Sequence, residues 1–405
     1  MHYRLLTMTK YNLHVIANPI IPLDKVRKTD AYTEKIMKFC KLFKDHHIIF
    51  YGQDGCQDLV NYNEYVPILP LNRYHTLNIK TNNFTHPRTF MRGVEVSFND
   101  EINKIVTEFS QKLIPEIKKR YHTNDLILHI ADAFRISPYY IEINLNMGGY
   151  HKCYEHIVYE TLQWAKYNIE QDLQDDQILT RGVNTVIYPW FEADQYLFQP
   201  EKKKPKTYLY LARLTDLKGI NIFLSLATAM YNLDKECQFW IAGGIDEHDH
   251  NNPNRIKIDD VWTDLTTWPN TTYFGVVGHE KRNELLSTAT VLIQPTRYFE
   301  PCGWNAIEAM LCGTPVVAPK LGGFVDTVKD GTTGYLYPAD TTYANMIKMI
   351  NDASLLSPTM CREYAMKNFS PEKAYKNYCI YFDQVLQLYA RNIDSESDEK
   401  SEESS

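Results

Sequence analysis

The run Val291-Leu-Ile-Gln-Pro-Thr-Arg-Tyr-Phe-Glu300-Pro-Cys-Gly-Trp-Asn-Ala-Ile-Glu308-Ala-Met-Leu-Cys-Gly313-Thr-Pro-Val-Val-Ala318 decides the fold. Val291–Gln294 is a compact apolar stretch that reads as a buried strand. Trp304–Cys312 reads as a helix and Pro315–Ala318 as the next strand. Strand, loop, helix and strand in so short a span make the repeating unit of a parallel sheet. Gly303 lets backbone approach a ligand closely. The helix behind it opens with N–H groups that its own turns leave unmet, which suits an anion such as a diphosphate. Glu300 and Glu308 stand a little over two helical turns apart, so they can touch different parts of one extended ligand. Gly313 and Pro315 mark the helix end.

The alternation continues outward. Thr207–Ala212, Gln238–Ala242 and Thr272–Val277 read as strands, and Lys218–Leu233 and Glu280–Ala289 as helices. The first half has the same rhythm less cleanly. Leu13–Ala17, His47–Tyr51, Leu126–Ile130, Tyr140–Ile143 and Val186–Trp190 read as strands, and Ala31–Lys44 and Glu101–Arg120 as helices. Asp54 to Arg92 is weakly patterned and is expected to carry long loops. The fold class is therefore α/β, with two doubly wound, Rossmann-like domains. The charged, proline-containing Glu201-Lys-Lys-Lys-Pro-Lys206 reads as the junction. The expected division is residues 1–200, residues 201–372, a terminal helix over 373–391 and a disordered acidic tail over 392–405. In that helix Tyr375, Tyr378, Phe382, Val385 and Leu388 recur at helical spacing.

A second constellation is Ala212-Arg213-Leu-Thr-Asp-Leu-Lys218-Gly219, between a strand and a helix. The turn puts two cations at the ligand edge of the sheet. There they can neutralise a diphosphate and stabilise the charge that builds as a bound group leaves. The Glu300–Glu308 segment resembles the E-x7-E signature of retaining glycosyltransferases of the GT-B fold, most closely family 4. The Arg213–Gly219 turn resembles that family's R-L-x-x-x-K-G. Gly322-Gly323 and Asp330-Gly331-Thr-Thr-Gly334 resemble its later glycine turns, so the likeness covers about residues 207–340.

The resemblance implies roles. Glu300 would face the donor sugar, with Arg213 and Lys218 on the leaving diphosphate. Glu308 would bind the ribose hydroxyls, and the backbone of Gly303, Trp304 and Asn305 would meet the phosphates. The terminal helix would cross back onto the first domain. The reaction implied is sugar transfer from a nucleotide-diphosphate sugar, UDP- or GDP-linked, with retained configuration. The acceptor would be a glycan, a lipid or a small molecule. No metal and no other cofactor is expected, because protein cations take the metal's place. Cys302, where the family often has phenylalanine, reads as a small buried residue rather than a nucleophile.

The first domain departs from the family pattern. Its first loop, Asn18-Pro-Ile-Ile-Pro-Leu-Asp24, has no glycine pair. Gly148-Gly149 with His151, or His129 with Asp132, are candidates for the cleft, and no first-domain carboxylate stands out. Two rival readings follow. A nucleotide-sugar epimerase on the same fold would need a first-domain acid–base set, and a catalytically silent sugar-nucleotide binder would need only the donor site. Asp246-Glu-His-Asp-His250 offers metal-ligand side-chain types but has no second partner cluster, and reads as a solvated loop.

Bulk properties narrow the class further. The chain has 405 residues, 44% hydrophobic and 23% charged, as in a globular protein of two domains. The net charge is −7, much of it in the acidic tail, so nothing strongly basic is left to bind nucleic acid. The eight cysteines are scattered without a C-x-x-C pair, which fits a reducing, cytoplasmic setting. No apolar run is long enough for a signal peptide or a membrane span. The basic stretch Lys118-Lys-Arg120, ending an amphipathic helix, allows weak peripheral contact with a membrane.

Overall fold

The computed structural model describes residues 10–19, 31–70, 100–130, 136–137, 139–145, 155–174, 182–244, 248–249, 252–258 and 261–402. The first half runs β1 (Asn12–Ile16), α1 (Ala31–Leu42), β2 (His47–Asp54), β3 (Glu64–Pro70), α2 (Asp100–Arg120), β4 (Leu126–His129), β5 (Ile141–Leu145), β6 (His156–Tyr159), α3 (Leu162–Gln174) and β7 (Thr185–Val186). Its seven strands are all parallel, in the order β3-β2-β1-β4-β5-β6-β7. The second half begins with β8 (Thr207–Leu211), α4 (Ile220–Leu233), β9 (Gln238–Ala242), β10 (His248–Asp249), β11 (Asn252–Ile258), β12 (Val261–Asp264) and β13 (Thr271–Tyr273). It continues through α5 (His279–Thr288), β14 (Val291–Ile293), α6 (Trp304–Leu311), β15 (Val316–Pro319), α7 (Phe324–Thr327) and β16 (Gly334–Tyr337). It ends in three helices, α8 (Tyr343–Ala353), α9 (Pro358–Asn368) and α10 (Pro371–Glu402). Here six parallel strands lie in the order β13-β9-β8-β14-β15-β16.

The central strands read as unbroken apolar runs because helices cover both sheet faces. Every residue of β4, β5, β8 and β14 is buried. Each sheet reverses its winding direction beside its first strand, between β1 and β4 and between β8 and β14. In open parallel sheets that reversal opens a crevice at the carboxyl ends of the strands, where ligands bind.

Several segments differ from the sequence reading. β3 lies inside the stretch expected to be loop, whose residues 71–92 are outside the described set. The cross-strand partner β2 organises it, which no local pattern reveals. The region of the Asp246–His250 cluster contributes His248 and Asp249 to a small antiparallel sheet, β10-β11-β12, while Asp246, Glu247 and His250 lie outside the described residues. Among the described residues no group of three or more His, Cys, Asp or Glu is placed to hold a metal. The junction is packed rather than free. Lys203 threads its stem inward so that its ammonium meets Thr314 Oγ1 and the Leu286 carbonyl, and burial pulls its pKa down to about 8. Lys206 pairs with Asp234 and Glu236, each at 2.6 Å.

The last helix returns to the first half. Tyr378, Tyr381, Phe382 and Val385 of α10 are buried in one cluster with Phe39, Phe43 and Leu13. Tyr11 Oη donates to Asp383 Oδ1 at 2.8 Å, tying β1 to the same helix. α10 continues to Glu402, across the stretch expected to be a disordered tail. Residues 392–402 contain neither glycine nor proline, so nothing in the backbone chemistry stops the helix there. Among the described residues no helix is long and apolar enough to cross a membrane.

Candidate active site

The carboxyl ends of both sheets meet around a cavity of about 320 Å³. Its second-domain wall carries Ala212, Arg213, Lys218, Gln294, Glu300, Pro301, Cys302, Gly303, Trp304 and Asn305, and Glu160 comes from the first domain. Local chemistry places each group. Tyr210 Oη donates to the Arg213 carbonyl at 2.7 Å, and the Lys218 and Gly219 amides bond back to Thr215 and Asp216. This closes the turn that holds both cations. Gly219 has φ +80°, and a Cβ there would lie 1.8 Å from the Pro295 carbonyl oxygen, so only glycine lets the turn sit against the β14 loop.

Lys218 and Glu300 form an ion pair, and the Lys218 ammonium lies 4.4 Å from the Tyr298 ring centroid. Burial pulls the lysine pKa down, and the Glu300 carboxylate opposes that shift. Arg213 is exposed at the cavity edge. The Glu300 carbonyl is held by the Gly323 amide at 2.6 Å, so the later glycine turn backs the acidic loop. Gly303, at φ +79°, caps α6, with Phe324 packed where a Cβ would be. Asn305 turns its side-chain amide onto the Leu211 carbonyl, which also accepts from Gln294 Nε2 at 2.9 Å. The Asn305 side-chain amide is thereby engaged at the end of β8, and the Ala306 amide bonds to the Gly303 carbonyl at 3.0 Å.

Glu308 sits apart from this wall. It is buried, 1% exposed, and does not line the cavity. Its Oε1 pairs with Arg282 Nη2 at 2.9 Å and accepts from Tyr196 Oη at 3.3 Å. Among the described residues its Oε2 is buried without a hydrogen-bond partner. Burial raises the carboxyl's pKa, and Arg282 counters this. A buried carboxylate oxygen without a partner is uncommon in a folded protein and calls for an explanation. Cys302 is buried, and burial pushes its thiol well above the ordinary range, which disfavours the thiolate.

The first-domain candidates are placed unevenly. His129 is buried against Glu142, with Nε2 2.8 Å from Oε2, and does not line the cavity. Gly148, Gly149, His151 and Asp132 lie outside the described residues. The group that sequence reasoning missed is Glu160, directly after β6. A charged residue closing the short apolar run His156–Tyr159 was the available signal. Glu160 Oε1 pairs with Lys35 Nζ at 3.1 Å, and Oε2 accepts from Trp304 Nε1 at 3.3 Å. Beside it Thr161 Oγ1 donates to the Pro301 carbonyl at 2.5 Å, and the Gln163 amide donates to Asp326 at 2.8 Å. The first domain is therefore stitched to the acidic loop at the cavity itself.

Two parallel-sheet domains facing across such a cleft define the GT-B fold. Residues 193–368 match the family described as Glycosyl transferases group 1. Among curated proteins the chain is similar to the alpha-D-kanosaminyltransferase of Streptomyces kanamyceticus, 27% identical over 42% of this chain and 41% of that one. It is also similar to the alpha-maltose-1-phosphate synthase of Mycobacterium tuberculosis, 30% identical over 38% of this chain and 40% of that one. The chain thus spans about two-fifths of the length of these relatives. Solved structures extend the likeness in fold to nearly the whole chain. A glycosyltransferase from Rickettsia africae aligns with TM-score 0.61 at 16% identity, covering 93% of this chain and 99% of that one. Anabaena HepE in complex with UDP-glucose aligns with TM-score 0.56 at 12% identity, covering 93% and 99%.

Proposed function

We propose that the protein is a retaining glycosyltransferase that moves a sugar from a nucleotide-diphosphate sugar to a hydroxyl-bearing acceptor. The observation that carries this reading is the convergence of Arg213, Lys218 and Glu300 on one cavity, at the amino end of α6. Two cations beside a helix start suit a diphosphate, and Glu300 is the natural internal counter-ion of Lys218 until a donor arrives. As the bond from the anomeric carbon to the phosphate oxygen breaks, negative charge grows on the diphosphate. Arg213 and Lys218 would stabilise it without reorganisation. The acceptor oxygen would attack on the same face, and the leaving phosphate oxygen would take its proton. Glu308 would receive a ribose hydroxyl on its unmatched oxygen.

The proposal includes metal independence, because the two cations occupy the place where a divalent ion would otherwise neutralise the phosphates. It also includes a cytoplasmic setting, in keeping with cysteines scattered without a C-x-x-C pair. The donor is a UDP- or GDP-linked sugar. Weak peripheral membrane contact at Lys118–Arg120 would fall to the exposed Lys118 and Lys119, since Arg120 is engaged by Glu64 and Glu116 at 2.6 Å each.

The test is incubation with UDP- and GDP-hexoses in excess EDTA, with panels of glycan and alkyl-glycoside acceptors. Proton NMR reads the anomeric configuration of the product. Transfer with retained configuration supports the proposal. An isomerised sugar without transfer assigns the site to an epimerase, and binding without turnover assigns it to a silent scaffold.

A further inference from the structure

The mechanism above leaves one buried charge pair at the cavity unused, Lys35 with Glu160. Both side chains are about 4–5% exposed, yet Glu160 lines the cavity. Lys35 reaches it from α1 and also donates to the Leu145 carbonyl at the end of β5. Trp304, the first residue of α6, reaches it from the other domain. A carboxylate offers about four lone-pair directions, and these contacts use one on each oxygen. A buried ion pair gains little stability over apolar residues of the same volume. Packing alone therefore gives weak reason to place it beside a ligand cavity.

Resting on the glycosyltransferase reading, we propose that Glu160 binds a hydroxyl of the transferred sugar and so determines which donor sugar is accepted. Three observations carry the assignment. Glu160 shares one cavity with Glu300 and the two cations, so it faces whatever the diphosphate brings in. Its partner Trp304 opens the helix whose backbone would hold the phosphates, which sets Glu160 within one side chain of the donor element. The Lys35 ammonium balances its charge, so the wall is neutral overall and repels the diphosphate less than a free carboxylate would. A neutral wall with spare acceptor sites suits sugar hydroxyls. The carboxylate demands a hydroxyl donor, and a sugar that lacks one there, or carries it in the other configuration, leaves a buried acceptor unmatched. Burial pulls the Lys35 pKa down while Glu160 opposes the shift, so the lysine depends on the carboxylate to remain charged.

The test compares the parent, Glu160→Gln and the double variant Lys35→Met/Glu160→Gln by isothermal titration calorimetry. The ligands are UDP, UDP-glucose, GDP and GDP-mannose. The double variant removes both charges together, so a folding defect from one unpaired buried charge does not decide the result. Melting temperature checks the fold of each. The expected parent binds one sugar nucleotide more tightly than its bare diphosphate. Both variants should keep the affinity for the diphosphate and lose the sugar-dependent gain, by roughly ten- to a hundredfold for a bond to a charged group. A sugar-dependent gain that survives in both variants overturns the proposal, and so does a parent that has none. Equal losses for diphosphate and sugar nucleotide also overturn it, by making the pair a structural pin between domains. A parent that binds none of the four ligands instead removes the nucleotide-sugar reading on which the proposal rests.

Discussion

The two walls of the cavity are charged on different plans. The second-domain wall places Arg213 and Lys218 beside one carboxylate, Glu300, and so keeps an excess of positive charge. The first-domain wall offers Glu160, already balanced by Lys35. One wall is suited to an anion and the other to neutral hydroxyls. A nucleotide sugar has that polarity across its central diphosphate and its terminal sugar. The difference also separates Glu300 from Glu308. The first meets the cavity through a lysine, and the second is locked beneath it by Arg282 and Tyr196.

The largest expected effect tests whether the walls are held together by the returning helix. Tyr378 is buried against Phe39, Phe43 and Trp190. Truncating so large a core aromatic costs about 3–5 kcal/mol. Tyr378→Ala should lower the urea midpoint accordingly, and an unchanged midpoint would detach α10 from the first domain. Next in size is the division of labour between the two glutamates. Glu300→Gln should lower turnover while leaving donor affinity near the parental value. Glu308→Gln should weaken donor binding by about 1–2 kcal/mol and leave saturated turnover nearly intact. Identical kinetic signatures for both would erase the distinction between a sugar-facing and a ribose-facing carboxylate.

The smallest effect concerns the junction. The Lys203 pKa is lowered to about 8 by burial, so between roughly pH 8 and 10 the unfolded chain holds a proton that the folded chain has lost. Stability must then rise with pH across that window. Against Lys203→Met as reference, the parent should gain stability from pH 8 to pH 10 in denaturant titrations. Parallel profiles would mean that the lysine remains protonated in the folded protein.

What the sequence discloses about each wall follows from how each is built. The second-domain groups lie in two contiguous turns, Arg213–Gly219 and Glu300–Asn305, where strand, loop and helix signals are local. Their convergence is legible once the parallel sheet is recognised. Arg282 is different. It reaches Glu308 from α5, so the burial of that carboxylate is a tertiary fact. Glu160 depends on still longer links, 125 residues to Lys35 and 144 to Trp304. β6 has only four residues, a weak strand signal, so the charge that closes it is a correspondingly weak marker of a site. β3 and the β10-β11-β12 sheet were missed for a related reason, since their order comes from partners across the sheet. The terminal helix is legible through its aromatic spacing, but its end is not. Its acidic residues signal solvation without signalling where helix stops.

The central claim is that Lys218 acts on a leaving diphosphate. Its direct test is the single-turnover rate of sugar transfer by Lys218→Ala with donor saturating, in excess EDTA. Loss of one preorganised donor of this kind typically lowers the rate by about 10²–10³-fold, and a fall of that size is the predicted result. Transfer at the parental rate would contradict the account, because it would leave the Lys218–Glu300 pair as a structural contact at the edge of a cavity that serves another purpose.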